Sequence, residues 1–549
     1  MAQDPEKASS PASMARVDSS SSSLSSSAGA DADSASAASR HPDFEVIFSD
    51  HDPENPLHWA PWYRGWIIFC VSFATWVATL YSTSYTSSVP GLVDEFAASQ
   101  TVVTLGMTTY LLGLATGSLV LAPLSELYGR RPVYIVCLSL WAVLVVPCAL
   151  AHSLTAIIVI RFIGAFFGAV MISNAPGTVV DVSDPDYLAR SMSLFCLGPL
   201  NGPVTGPIIG GFVFQYLGWR WDSWIVLILA GLAIVLLLTV RETYAPKILQ
   251  RKAALMRKRT DDDRYWCRYD QKVSTVHLLK TNLSRPFMLF VTEPILWFMN
   301  FWISLVYGTL YLCFVAYPVV FSQHRGWGPG ISGLAFAGIG IGSVAAIAAE
   351  PLFRRIIHAQ AKDPDTGKPF PEAQALIMAM GAVATAVGQL GFSWTCLPRS
   401  IHWAVPIAFG IPFGGGSTIS FIYGLNYLAG AYGIYAASAL AGNAVIRSVF
   451  GGTLPLVGPR MYVALTPQWA GTVLGLLQVA LIPIPFVFWR FGGRIRAGSM
   501  AIRQLREEQE RDDAEGAEGQ ARRERRDSRP SLAAVDGEGV EGVGQEKKT

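Results

Sequence analysis

The sequence is short of charge. Only 15% of its 549 residues are Asp, Glu, Lys or Arg, against 51% hydrophobic, whereas a soluble domain carries about 25% charged residues. A soluble chain of this length would divide into several domains, each with a polar surface to cover, and the charge for that is missing. The formal net charge of +2 offers no electrostatic footprint for a nucleic acid. Cysteine is also sparse: seven residues, with no CxxC and no Cys/His spacing, exclude a disulfide framework and a zinc site and read as small apolar packing residues. The histidines lie in loops and tails without metal-ligand spacing, so no metal is expected. There is no Walker loop, nucleophile elbow or zinc motif, which excludes ATP-driven pumping and gives no ground for an enzyme or a cofactor. No signal peptide precedes the first apolar run near Trp66, so that run is read as a retained helix.

What is present is apolar sequence in lengths that cross a bilayer, roughly 20 residues each. Six candidate spans fall near 66–87, 101–122, 132–150, 154–173, 189–214 and 222–240, and six more near 290–320, 331–349, 374–394, 402–423, 434–457 and 467–490. The predicted fold class is an all-α polytopic membrane protein of two six-helix bundles. Residues 1–64, rich in Ser, Ala and Asp, read as a disordered cytoplasmic tail. Residues 65–240 form the first bundle, 241–289 a charged cytoplasmic middle loop, 290–490 the second bundle and 491–549 a charged cytoplasmic tail. Lys and Arg set the orientation. Arg130, Arg131, Arg190, the middle loop, Arg354, Arg355, Arg490 and Arg494 share one side, while Arg220, Arg325, Arg399 and Arg460 are alone on the other. Both termini are therefore expected in the cytoplasm. A 6+6 chain of this kind predicts two parallel halves around a cavity that opens alternately to each side.

Several motifs carry chemistry. Between spans two and three the chain reads Ala122-Pro123-Leu124-Ser125-Glu126-Leu127-Tyr128-Gly129-Arg130-Arg131. Positive-inside anchoring explains the two arginines but not Glu126 and Gly129 at this spacing, which suit a latch between helix ends. Arg161 lies in mid-span, where an unpaired charge costs several kcal/mol and marks a functional site by default; membership of a structural ion pair is the other reading. Span five is dense in small and ring residues, with Gly202, Pro203, Gly206, Pro207, Gly210 and Gly211. The glycines permit close helix approach and the prolines break the backbone ladder. Asp181, Glu293 and Glu126 are the acids open to proton carriage, each equally able to be structural. Tyr307, Tyr311, Asn443 and Arg447 are cavity candidates. Arg447 could pair with an acid or hold an anionic substrate. The cluster Trp297, Phe298, Phe301 and Trp302 reads as facing lipid or a neighbouring helix.

These residues resemble a known family. The loop around Gly129 resembles the signature loop of the major facilitator superfamily, in the PLSExYGRR form of the fungal twelve-spanner drug:proton antiporters. Ala122 and Glu126 stand where the general pattern has Gly and Asp. Span five resembles the antiporter motif GxxxGPxxGG, and Trp219-Arg220-Trp221, Glu242-Thr243-Tyr244-Ala245-Pro246, the segment from Ala436 to Ser448 and Pro483-Ile484-Pro485 resemble further local signatures. Two departures stand out: Gly430 replaces an acid after span ten, and Gln374 replaces an arginine before span nine. The first weakens a case for cationic cargo and favours a neutral or acidic metabolite. The resemblance implies a monomeric, proton-coupled exporter of a small organic compound such as a secondary metabolite, organic acid or drug-like toxin, working in the lipid bilayer of the plasma membrane rather than the vacuole. It also implies that Arg161 serves proton coupling. A nutrient importer of the same fold and a non-transporting membrane sensor are the rivals.

Overall fold

A computed structural model describes residues 44–49, 52–184, 187–270, 275–362, 367, 369–499, 502 and 503, with side chains undescribed at 275–282 and 434. Most of the two predicted tails lies outside the described residues. The helices expected to cross the membrane are α1 Pro61–Ser84, α2 Gln100–Tyr128, α3 Arg130–Ala149, α4 Leu154–Val182, α5 Leu188–Leu217, α6 Arg220–Leu238, α7 Pro294–Pro318, α8 Pro329–Ala348, α9 Glu372–Thr395, α10 Ala404–Tyr432, α11 Ala436–Ala464 and α12 Thr466–Ala497. Eleven of these are long and apolar enough to span a bilayer by composition alone. The exception is α5, whose Gly and Pro content dilutes its hydropathy although the helix runs for 30 residues.

Helix ends follow local chemistry. Ser99 caps α2 by accepting from the Val102 N–H. Between α2 and α3, Gly129 takes φ 98°, and Gly218 ends α5 at φ 86°; both lie in the left-handed region that side chains disfavour. Helices pack mainly within halves: α1 along α5, α2 along α4 and α3 along α6, then α7 along α11 and α9 along α10. The halves meet where α2 faces α11 and where α5 faces α8. One large core runs through the first bundle, with Trp141, Tyr110 and Tyr134 deeply buried, and a second is built around Met299, Trp302, Tyr427 and Tyr432.

A separate small unit holds residues 44–54 and 246–270. Residues 44–54, expected to belong to a disordered tail, pair with the middle loop: the Val46 N–H donates to the Trp266 carbonyl at 2.8 Å and the Trp266 N–H to Phe44 at 3.0 Å. Val46, Leu249, Ala253 and Cys267 form its core, and Lys252 pairs with the buried Asp52. The reason is local: Phe44, Val46 and Phe48 alternate and supply one apolar face, while Ile47 between them is exposed.

Candidate transport site

Three polar clusters and one glycine–proline stripe occupy the helical body. The first cluster lies at the end carrying the basic loops. Arg130 is 9% exposed; its guanidinium donates to Ser125 Oγ at 2.6 Å and to Asp181 at 3.4 Å and sits 5.0 Å from the Tyr244 ring. The carboxylate of Glu242 accepts from the Arg130 and Arg131 backbone N–H groups at 2.8 and 3.1 Å and from those of Thr243 and Tyr244. It thereby caps the start of α3, whose orphan donors and dipole favour a negative charge. Arg131 reaches the Leu238 carbonyl at 2.9 Å. Glu126, grouped with these arginines in sequence, is exposed. The acids that meet them are Asp181 and Glu242, more than forty residues away in the chain.

At the same end of the second bundle, Glu293 is fully buried at the start of α7 and accepts from Ser499 Oγ at 2.6 Å and Tyr432 Oη at 3.2 Å. Glu372 takes a two-pronged contact from Arg496 at 2.6 and 2.8 Å, a geometry that adds strength and direction.

The second cluster surrounds Arg161, which is 2% exposed. Among the described residues no carboxylate contacts it. Its guanidinium donates to the carbonyls of Gly106 and Tyr81, each at 2.9 Å, and lies 4.2 to 4.9 Å from the rings of Tyr81, Tyr85 and Tyr110. Three tyrosine faces and two carbonyls replace the missing ion pair, an arrangement that desolvated cation–π contacts make tenable. Nearby, Tyr81 Oη meets Ser223 Oγ at 3.1 Å and Ser84 Oγ donates to Asp222 at 3.0 Å. Asp222 is a membrane-embedded acid that sequence reasoning missed. It follows the Trp219-Arg220-Trp221 signature directly, at the first residue of the predicted span 222–240, and the helix takes it in because it starts at Arg220.

The third cluster faces α7 from α11. Arg447 is 9% exposed, lies 4.9 Å from the Tyr307 ring and 4.6 Å from that of Phe421, and its Nε has no partner. Asn443 Nδ2 donates to Asn300 Oδ1 at 2.9 Å, leaving Asn443 Oδ1, Asn300 Nδ2 and Ser304 Oγ without partners. The Tyr307 and Tyr311 rings lie 4.7 Å apart, tilted by 35°, and Tyr311 Oη reaches Ser82 Oγ of the other bundle at 3.1 Å. Asn300 and Ser304 were not anticipated; the i, i+4, i+7 spacing to Tyr307 could have shown them. Trp297, Phe298 and Phe301 face outward, and Trp302 is buried.

The stripe on α5 explains its composition. A Cβ on Gly202 would stand 2.0 Å from Thr79 Oγ1, and one on Gly206 2.2 Å from Thr83 Oγ1; at Gly210 it would meet the Ser84 carbonyl at 2.7 Å. The i, i+4 spacing turns all three toward α1. Gly211 instead faces the second bundle, 2.6 Å from the Pro329 carbonyl. Each interior proline leaves the carbonyl four residues earlier without its donor. Hydroxyls of α1 supply two of them: Ser72 Oγ to Phe195 O at 2.9 Å, opposite Pro199, and Thr83 Oγ1 to Pro203 O at 2.8 Å, opposite Pro207. At the end carrying Arg220 the halves close on each other. The Gly330 N–H donates to Gln215 Oε1 at 3.0 Å, and a cavity of about 190 Å³ remains between Tyr85, Gln100, Met107, Phe314, Ser322 and Phe336.

The Major Facilitator Superfamily model matches residues 71–450. "Efflux pump FUB11" of Gibberella moniliformis is 36% identical over 457 residues, 82% of this chain and 77% of its own. "Citrinin biosynthesis cluster MFS transporter mrr1" of Monascus ruber is 38% identical over 455 residues, 82% and 90% of the two chains. Among solved structures, the proton:xylose symporter XylE shares the fold at a TM-score of 0.55 and 14% identity, over 79% of this chain and 96% of that one. With two packed bundles, buried arginines on α4 and α11, and a family match across most of both, the chain belongs to the major facilitator superfamily and is a multi-pass membrane transporter, not an enzyme.

Proposed function

We propose that the chain exports a small organic compound, a secondary metabolite in the first place, across the plasma membrane in exchange for protons, as a monomer and by alternating access. The carrying observation is the α5 stripe: glycines and prolines seated against α1 on one face and against Pro329 on the other, in the motif whose resemblance marks exporters. Names of relatives that include an efflux pump and a metabolite-cluster transporter support the same direction. The bias of Lys and Arg puts the Arg130 end in the cytoplasm, so the contact between Gln215 and Gly330 closes the outer side. The 190 Å³ cavity there is below the roughly 300 Å³ at which drug-sized pockets begin, so it is too small to hold the cargo in this state. Asn300, Asn443 and Arg447, with unpartnered polar atoms at the contact of α7 and α11, and Tyr307 beside Arg447 are the groups proposed to meet cargo. The signature loop, with Arg130, Asp181 and Glu242, holds the ends of α2, α3 and α4 together and releases them when the other side opens. A ligand drives that change only by binding the two states differently.

The test has two parts. Metabolites secreted with and without the gene identify the cargo. Inside-out plasma-membrane vesicles then measure its movement into an acidified lumen. Accumulation that a protonophore abolishes supports export by exchange. Uptake only under the opposite gradient would make the chain an importer, and no movement in either direction would overturn the proposal.

A further inference from the structure

Four consecutive residues near the end of α1 each bind a different part of the molecule. The Tyr81 carbonyl accepts from Arg161 of α4 and its hydroxyl meets Ser223 of α6. Ser82 meets Tyr311 of α7 across the two bundles. Thr83 donates to the Pro203 carbonyl of α5. Ser84 donates to Asp222 of α6. All four are buried, and Asp222 is 4% exposed.

Asp222 has no cation beside it. Its neighbour Arg220 is held by Glu95 in two contacts, at 2.7 and 2.8 Å, with His152 on that same rim. Arg161 acts on Asp222 through space without contacting it, and is itself bound to the Tyr81 carbonyl. Cys148 of α3 is buried beside the same tyrosine. Tyr81 of α1 is the other titratable side chain that acts on Asp222, and among the described residues no cation contacts the carboxylate. A buried carboxylate without a paired cation is held charged only weakly. Here the Ser84 hydroxyl and the first turn of α6 support the charged form, while burial supports the neutral one. Tyr85, next to Ser84, lines the 190 Å³ cavity at that end. Asp181 and Glu293 differ: the first has Arg130 beside it, and the second is enclosed by Ser499 and Tyr432.

We infer that Asp222 is the proton-binding carboxyl of this transporter, and that the turn Tyr81–Ser84 carries its charge state to the contact between the bundles at Ser82 and Tyr311. The inference rests on the proton-coupled reading above. In the step itself a proton adds to one carboxylate oxygen, giving a neutral acid. No other bond forms or breaks, and the proton leaves by the same atom. Neutralisation removes the only negative charge acting on Arg161 from α6. The guanidinium, which donates to the Tyr81 carbonyl, then pulls on the turn that holds Ser82.

The experiment is infrared difference spectroscopy of the full-length protein in lipid nanodiscs, stepped in pH with no cargo present. A protonated-carboxyl band that grows on acidification is expected in the wild type, in Asp181→Asn and in Glu293→Gln, and is expected to vanish in Asp222→Asn. Asp222→Glu, which keeps the acid, should restore a band at a moved position, separating a lost carboxyl from a misfolded protein. Tyr311→Phe should keep the band but lose the accompanying pH-dependent tryptophan fluorescence change. Persistence of the band in Asp222→Asn overturns the assignment, and an unaltered fluorescence change in Tyr311→Phe overturns the route. Because no cargo is used, a failure of the export reading leaves these results standing.

Discussion

At the residue scale, buried arginines separate function from stability. Arg161 has no acid partner, only two carbonyls and three rings. A buried charge without an ion partner carries an uncompensated desolvation cost that an apolar side chain of similar volume does not. Arg161→Met should therefore keep or raise the melting temperature of the solubilised protein while abolishing transport; a variant that still exports would remove Arg161 from the mechanism. Glu242 and Glu126 form a second contrast. Glu242 serves four backbone donors around the start of α3, so Glu242→Gln should cost about 1–2 kcal/mol, read as a lower melting temperature. Glu126 is exposed, and Glu126→Gln should leave that temperature unchanged. Sequence alone made Arg161 stand out, because a charge in an apolar run is visible without a fold. It named Glu126, which acts on Arg130 through space, but not Asp181 and Glu242, because acids more than forty residues away become neighbours only through helix packing. Asp222 was hidden for another reason: at the edge of a span it reads as a loop acid.

At the scale of elements, α5 was the most legible helix and the one that hydropathy alone loses. Its small residues lower the average that identifies a span, yet their spacing dictates which partner it takes. Gly206→Ala should cost about 1–3 kcal/mol as overpacking. Thr83→Ala in the same protein should recover part of that, since the nearest atom is the Thr83 hydroxyl at 2.2 Å. Gly198→Ala allows no such recovery, because a Cβ there meets the Ser72 carbonyl at 2.2 Å. Thermal unfolding of the single and double variants distinguishes the two cases; equal recovery at both sites would contradict the packing described. The segment around Val46 was read as tail because its apolar signal is short and its partner in the middle loop lies some two hundred residues on.

At the scale of the whole molecule, the bundles meet through few polar contacts, so each carries weight in the balance between states. A hydrogen bond contributes about 1 kcal/mol net, which is roughly a fivefold change in an equilibrium. Gln215→Ala removes the acceptor for the Gly330 N–H. It should raise the labelling rate of Ser87→Cys by a membrane-impermeant maleimide about fivefold. Six of the seven native cysteines are buried, so background labelling is low. An unchanged rate would mean that this contact does not hold the outer side shut. The two-bundle plan was legible from span count and loop charge alone. Which side stands closed was not, because it depends on contacts between residues that no periodicity brings together.

The carbonyls that prolines leave open along α5, and the α1 hydroxyls that meet them, set a limit on motion. Ser72 and Thr83 hold positions more than two turns apart on a facing helix. Sliding one helix along the other would break both contacts at once, in a region where no water replaces them. Shear between these two helices is thereby blocked, whereas rotation of the pair as a unit leaves both contacts intact. Helices α1 and α5 are joined as one unit, which meets the second bundle at Tyr311 and Pro329.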